Sequence, residues 1–364
     1  MTDPREPVHT VYVGAHLFHA QFASHWGELA LQVLNMYAPD ARALAAAVDH
    51  ACDDEVYARL TDKLGSEPVE DLRIDFEDGF GDRSDEEEDR AARAAASELA
   101  GDIARGTGPA SSGIRIESLS GGRATRGGRT LELFATALLE RSGGKLPPGF
   151  TVTLPKVAAI EDVTALVRLL EELETRLRLD AGALRLELMV EIPQAIVAAD
   201  GRCPLPALVA ATGGRCRGVH FGVYDYSAAL GIAPLHHGLR HPACDHARRV
   251  MQVALAGSGV ALSAGSTNVL PVPPRDNLVR AWRLHFHDVR HALVNGFYHG
   301  WDLHPAQLVT RYAAVYSFFR ESLRAAAPGG VLEDPAAAGV RRTLMRRAVD
   351  CGAFGQDEGE AASA

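Results

Sequence analysis

Short apolar or β-branched runs recur along this chain, and longer helical patterns separate them. That alternation constrains the fold more than any other feature, because repeated strand and helix units wind a parallel sheet. Eight candidate strands can be read: Val11–Val13, Leu72–Phe76, Ile114–Ile116, Phe150–Leu154, Leu184–Val190, Gly218–Phe221, and two weaker ones near Val260–Leu262 and Tyr298–Leu303. Eight βα units predict a TIM-type (β/α)8 barrel over residues 1–310. A helical start at Pro39-Asp40 follows the first strand, and a well-patterned helix from about Asn277 separates the last two. Beyond Pro305 an aromatic helical stretch, RYAAVYSFFRESLRAA, precedes Pro328-Gly329-Gly330 and a further short helix. Residues 311–350 are therefore expected as a C-terminal helical extension, acting as a lid or an oligomer contact. DEGEAASA closes a tail, 351–364, expected to be disordered.

Composition excludes several classes. A formal charge of -10 argues against nonspecific nucleic-acid binding, which needs a basic face. No run approaches the length of an uncharged apolar membrane span. The N-terminal MTDPREPVHT lacks a basic segment followed by an apolar stretch, and the five scattered cysteines show no CxxC spacing. Reduced thiols and a cytoplasmic location are the expectation. There is no G-x-S-x-G elbow, Walker loop or G-x-G-x-x-G after a strand.

A parallel barrel builds its site at the C-terminal ends of the strands. Here the second strand ends in Asp75-Phe76-Glu77-Asp78-Gly79, the third carries Arg115, the fifth ends in Met189-Val190-Glu191-Ile192-Pro193 and the sixth runs into Gly222-Val223-Tyr224-Asp225. Carboxylates and one arginine are thus expected to converge. Two carboxylates from neighbouring strands, completed by water and substrate oxygens, are the usual protein share of a Mg²⁺ site, and Glu191 and Asp225 fit that description. The plainer reading is that each acid caps a helix or pairs with an arginine. The acidic run Asp85–Asp89 reads as a solvated first turn of a helix.

These motifs resemble those of the citrate lyase β-subunit and HpcH/HpaI aldolase superfamily, over roughly Val11 to Gln307. DFEDG at Asp75–Gly79 is similar to its DLED, RIES at Arg115 to its RVN, and LPKV at Leu154–Val157 is shared. Glu191 matches the glutamate of its IET segment, FGVYD ending at Asp225 matches FGAED, and GFYHGWDLHPAQ matches GFDGKxxIHPxQ. The resemblance implies Mg²⁺ or Mn²⁺ on Glu191 and Asp225 and Arg115 orienting a substrate carboxylate bidentately, while Tyr224 and His304, at or near the same strand ends, are further candidate substrate contacts. It implies a carbon–carbon lyase or aldolase acting on a 2-oxo acid or a 3-hydroxyacyl thioester through an enolate, in a homo-oligomer.

Departures qualify it. HpaI-type aldolases carry a histidine where Asp78 stands, so Asp75, Glu77, Asp78 or a bound water must move the proton, unless these acids only hold metal waters. Tyr224 replaces an acid beside Asp225. Arg123, Arg126 and Arg129 form a basic loop that offers contacts to an acyl-CoA or is merely solvated. Lys156, at the end of the fourth strand, is placed for a Schiff base. His236, His237, His241, Cys244 and His246 make a zinc-like window whose spacing matches no zinc pattern. Thioester hydrolysis on the same barrel and a non-catalytic metabolite-binding barrel are the alternatives.

Overall fold

In the computed structural model, which describes residues 5–120, 124–324 and 335–358, every expected strand forms. In chain order the elements are β1 (His9–Gly14), α1 (Phe22–Tyr37), α2 (Ala41–Val48), α3 (Asp54–Ser66), β2 (Asp71–Asp75), α4 (Asp85–Arg105), β3 (Ser111–Arg115), α5 (Ala124–Arg141), β4 (Thr151–Leu154), α6 (Ile160–Leu177), β5 (Arg185–Val190), α7 (Leu205–Ala210), β6 (Cys216–Phe221), α8 (Val223–Ala229), α9 (Pro242–Leu255), β7 (Ala261–Ser263), α10 (Arg275–Val294), β8 (Gly300–Asp302), α11 (Pro305–Arg324) and α12 (Pro335–Asp350). The eight strands lie in one sheet in the order β7-β6-β5-β4-β3-β2-β1-β8, and the registered pairs from β1 to β7 are all parallel. This is a TIM-type (β/α)8 fold with helices added at the C-terminus.

The chain divides into two compact units. Thr10–Ala23 with Val69–Ser266 makes one, and Met1–His9, Ser24–Pro68 and Thr267–Ala364 make the other.

Within the first unit the strands are largely buried, yet Asp71, Arg73 and Asp75 of β2, Glu187 of β5 and His220 of β6 are buried polar or charged residues. Register explains how this is tolerated: Asp75 lies beside Arg115 and Thr153 beside Glu187. Arg73 donates from Nε (2.8 Å) and Nη2 (2.9 Å) to Glu187 and from Nη1 to Asp71 (2.5 Å), while the Thr153 hydroxyl also donates to Glu187 (2.5 Å). His220 Nε2 lies 3.3 Å from Glu187, and its Nδ1 lies 3.3 Å from the Tyr12 hydroxyl. Buried charges persist only when paired in this way. Burial raises the Tyr12 phenol well above its usual range, whereas the charges of Arg73 and His220 outweigh burial and hold Glu187 well below its own.

The acidic run is not simply solvated. Ser84 and Glu87 close a capping box at the start of α4, as four successive carboxylates in a first turn favour. Glu88, however, is 1% exposed and accepts hydrogen bonds from the Thr130 hydroxyl and Arg126, while Arg129 grips Asp89 from α5. The run therefore clamps α4 to α5.

In the second unit, the expected division at residue 310 cuts through α11. Its residues from Ala306 to Arg320 are all buried, so α11 is a packed core helix, not a lid. The expectation of a disordered end also fails over residues 351–358: Cys351 and Ala353 are buried, and Glu358 pairs with Arg59 at 2.5 Å. Residues 359–364 of that tail lie outside the described residues. An unforeseen helix, α1, precedes the one expected near Asp40. No described helix is long and apolar enough to cross a membrane.

Candidate active site

The mouth of the first unit is assembled from strand ends. DFEDG folds into a turn around its first carboxylate: Asp75 Oδ1 accepts the Glu77 N–H (3.0 Å) and Oδ2 the Gly79 N–H (2.8 Å). A Cβ at position 79 would sit 2.4 Å from Asp75 Oδ2, so glycine is needed there. Arg115 completes the shell of Asp75, donating from Nε to Oδ1 (2.6 Å) and from Nη2 to Oδ2 (2.5 Å). Its Nη1 faces Glu77 at 3.1 Å and Met189 Sδ at 3.5 Å, and its guanidinium lies over the Tyr12 ring.

Two expectations change accordingly. Asp75 has four donors and no room to act as a base; it holds Arg115. The bidentate edge of Arg115 is spent on Asp75, so it does not meet a substrate carboxylate with that fork.

Lys156 follows β4, as expected, but its partners were not foreseen. Its Nζ pairs with Glu77, with Asp78 at 3.2 Å and with Asp225 Oδ2 at 3.1 Å, and its backbone N–H donates to Glu191 Oε1 at 2.8 Å. Although burial opposes its charge, Glu77, Glu191 and Asp78 raise its pKa well above the usual lysine range. An amine paired with three carboxylates is engaged as an ammonium, an arrangement that does not favour a Schiff base. Acids at same-face positions of β2 and β5 and just beyond them, in DLRIDFE and RLELMVE, were the available signal.

Glu77, Asp78 and Asp225 face this one ammonium and Glu191 the backbone N–H of the same residue, with Asp75 and Arg115 behind. Five carboxylates against two cations leave the mouth short of positive charge. Glu191 registers the shortage: its carboxyl is pushed up to about 8, chiefly by burial, with Glu77 and Asp225 adding to it while Arg115 and Lys156 pull the other way. Burial likewise raises Glu77 despite Arg115 and Lys156. Asp78, whose side chain is 59% exposed, goes the other way: burial is outweighed by the charges of Arg115 and Lys156, and its pKa is lowered. Gly222 allows β6 to pass close to Glu191, since a Cβ there would lie 2.5 Å from Glu191 Cβ and Oε2.

Asp225 sits in the first turn of α8, and its Oδ2 is buried without a hydrogen bond, 3.1 Å from the Lys156 ammonium. An orphaned buried carboxylate oxygen beside a protonatable glutamate is a donor set that suits a hard divalent ion. Among the described residues, no group of three or more His, Cys, Asp or Glu is arranged as a metal cage, and two carboxylates are the smaller complement that Mg²⁺ takes.

Other expected contacts are engaged elsewhere. The Tyr224 hydroxyl donates to the Ser266 carbonyl at 3.3 Å. His304 belongs to the second unit, where its Nδ1 accepts the Ala306 N–H (3.2 Å) at the start of α11. Arg126 and Arg129 are committed to Glu88 and Asp89, and Arg123 lies outside the described residues. In the histidine window, His237 contacts the Ile232 carbonyl and His241 accepts the Ala243 N–H, which is turn and cap chemistry, not zinc ligation.

Fold and site together define a (β/α)8 barrel protein with an acidic, lysine-centred mouth. The chain belongs to the family described as domain of unknown function DUF6986, whose model matches residues 2–364. No curated protein matches it. Among solved structures it is similar to malate synthase of Haloferax volcanii. The magnesium/glyoxylate complex shares 15% identity at a TM-score of 0.54, covering 90% of this chain and 78% of that one. The lead(II) complex shares 18% at 0.54, covering 81% and 77%. The pyruvate/acetyl-CoA ternary complex shares 16% at 0.51, covering 86% and 77%. At these identities the likeness carries the fold alone.

Proposed function

We propose that this protein is a divalent-metal-dependent enzyme that makes or breaks a carbon–carbon bond beside a carbonyl, acting on a 2-oxo acid or an acyl thioester. The observation that carries the reading is the charge deficit at the mouth, where Glu191 and Asp225 share a single lysine with Glu77 and Asp78. The citrate lyase-like order of motifs supports it, as does a barrel like that of a malate synthase solved with magnesium and glyoxylate.

Glu191 and Asp225 would hold Mg²⁺ or Mn²⁺. A bound cation supplies Lewis-acid polarisation of the carbonyl oxygen and stabilises enolate charge, worth several kcal/mol. Asp75 locks Arg115, whose Nη1 faces Glu77 and Met189, so its charge acts on the mouth from behind these groups. Asp78, exposed and held ionised by Arg115 and Lys156, is the base that takes a proton from the carbon beside the carbonyl. Glu77, buried behind it, steadies the Asp78 N–H at 2.9 Å.

Calorimetry of Mg²⁺ and Mn²⁺, with and without pyruvate, oxaloacetate or glyoxylate, tests this on wild type and Asp225→Ala. Ligand binding that requires the metal and disappears in the variant is the expected result. Ligand binding indifferent to metal would leave a metabolite-binding barrel.

A further inference from the structure

Lys156 follows β4 with a left-handed backbone, φ 51°, a conformation that costs a side-chain-bearing residue on the order of 1 kcal/mol. The strain places two groups at once. The backbone N–H engages Glu191 at 2.8 Å, and the ammonium reaches Asp225 at 3.1 Å. One residue therefore contacts both carboxylates assigned above to the cation. The same ammonium also pairs with Glu77 and Asp78, so it has somewhere to remain if Asp225 is taken from it. Its hold on Asp225 is charge without a hydrogen bond, the easier contact to give up.

We propose that Lys156 is a tethered competitor for the divalent cation: its ammonium holds Asp225 in the metal-free protein and yields that carboxylate when the cation binds, retreating onto Glu77 and Asp78. The inference rests on the metal reading of Glu191 and Asp225. Two cations cannot share one carboxylate at contact distance without strong mutual repulsion in a half-buried site. Metal entry is then an exchange, weakened by the ion pair it breaks, and the lysine keeps Glu77, Asp78 and Asp225 together until it occurs.

Titrating Mn²⁺ into the metal-free full chain without substrate, by calorimetry, compares wild type, Lys156→Gln and Asp225→Asn. Lys156→Gln is expected to bind Mn²⁺ on the order of five- to tenfold more tightly, the worth of one partly buried ion pair, and Asp225→Asn to lose binding. Equal or weaker binding by a cooperatively melting Lys156→Gln overturns the competitor role while leaving the metal site standing. No Mn²⁺ binding by wild type or Lys156→Gln overturns the metal reading itself, and the competitor with it. A second measurement needs no variant, because Lys63, Lys145 and Lys156 are the only lysines. Reductive methylation followed by mass spectrometry should show Lys156 modified several-fold faster, relative to exposed Lys145, when Mn²⁺ saturates the wild type. An unchanged or slower ratio under saturation overturns the exchange.

Discussion

Glu191 carries a proton at neutral pH that the unfolded chain would release, since burial and the neighbouring acids push its carboxyl to about 8 from an ordinary value of 4.5. The native state thus binds more protons than the unfolded state between those values, so stability falls as pH rises through this window, and the loss is complete above it. Glu191→Gln keeps an acceptor for the Lys156 N–H but cannot ionise. In EDTA it should match wild type near pH 5 and exceed it at pH 9 by on the order of 2–4 kcal/mol, read from urea unfolding. An advantage independent of pH would mean that the glutamate is not held protonated. Asp75 makes the opposite contrast. Asp75→Ala strands a buried Arg115 and should cost about 3–5 kcal/mol, whereas Asp78→Asn, on a mostly exposed side chain, should stay within about 0.5 kcal/mol while abolishing turnover if Asp78 is the base. Asp75, Glu77, Asp78, Arg115, Glu191 and Asp225 were legible because polar residues at strand ends mark a barrel mouth. Their partners were not. Whether Arg115 faces a substrate or Asp75 depends on parallel register and side-chain direction, which no local pattern encodes.

Strands and helices differ in how plainly the chain announces them. All eight strands were readable because buried parallel strands are short apolar runs between turn residues, and each overlaps its expected place, β3 starting earliest, at Ser111 in place of Ile114. α1 was missed: FASHWGELALQVLNMY carries no acid in its first turn and no base in its last, so the end signals that marked other helices are absent. α11 was found but misjudged, because a helix that carries Arg311 and Arg320 among its apolar residues reads as partly solvated until their buried partners are known. The α4–α5 clamp makes a test at this scale. Glu88→Ala leaves Thr130 and Arg126 without their buried acceptor and should cost roughly 2–4 kcal/mol, while Glu86→Ala, exposed in the same acidic run, should change stability by less than about 0.5 kcal/mol. Equal urea midpoints for the two variants would return the run to a solvated face.

Each compact unit keeps its own buried ionic centre: Arg73, Glu187 and His220 in the first, and in the second Asp302, which His9 Nδ1 meets at 2.6 Å, His285 Nε2 at 3.0 Å and Arg311 Nη2 at 2.9 Å. Burial would raise Asp302, but Arg311 and both imidazoles hold it well below the usual carboxylate range. The second unit is finished by the segment after α12. There the Cys351 carbonyl accepts the buried Tyr316 hydroxyl (2.7 Å), the Ala353 carbonyl accepts Arg320 Nη1 (3.0 Å), and Glu358 pairs with Arg59. Ending the chain at Asp350 removes all three partners and uncovers Tyr316, which is fully buried in the intact protein. An unmet buried hydroxyl and guanidinium edge each cost about 1–3 kcal/mol, so the truncation should lose at least roughly 3 kcal/mol. Tyr316→Phe removes the donor and leaves only a carbonyl to be satisfied, so it should cost nearer 1 kcal/mol. Urea unfolding of the two variants beside wild type checks the ranking, and its logic is structural: α11 is a core helix, and residues 351–358 cap the groups it buries. Were the truncated chain as stable as wild type, those contacts would be idle, and the segment would be the loose tail its composition suggests.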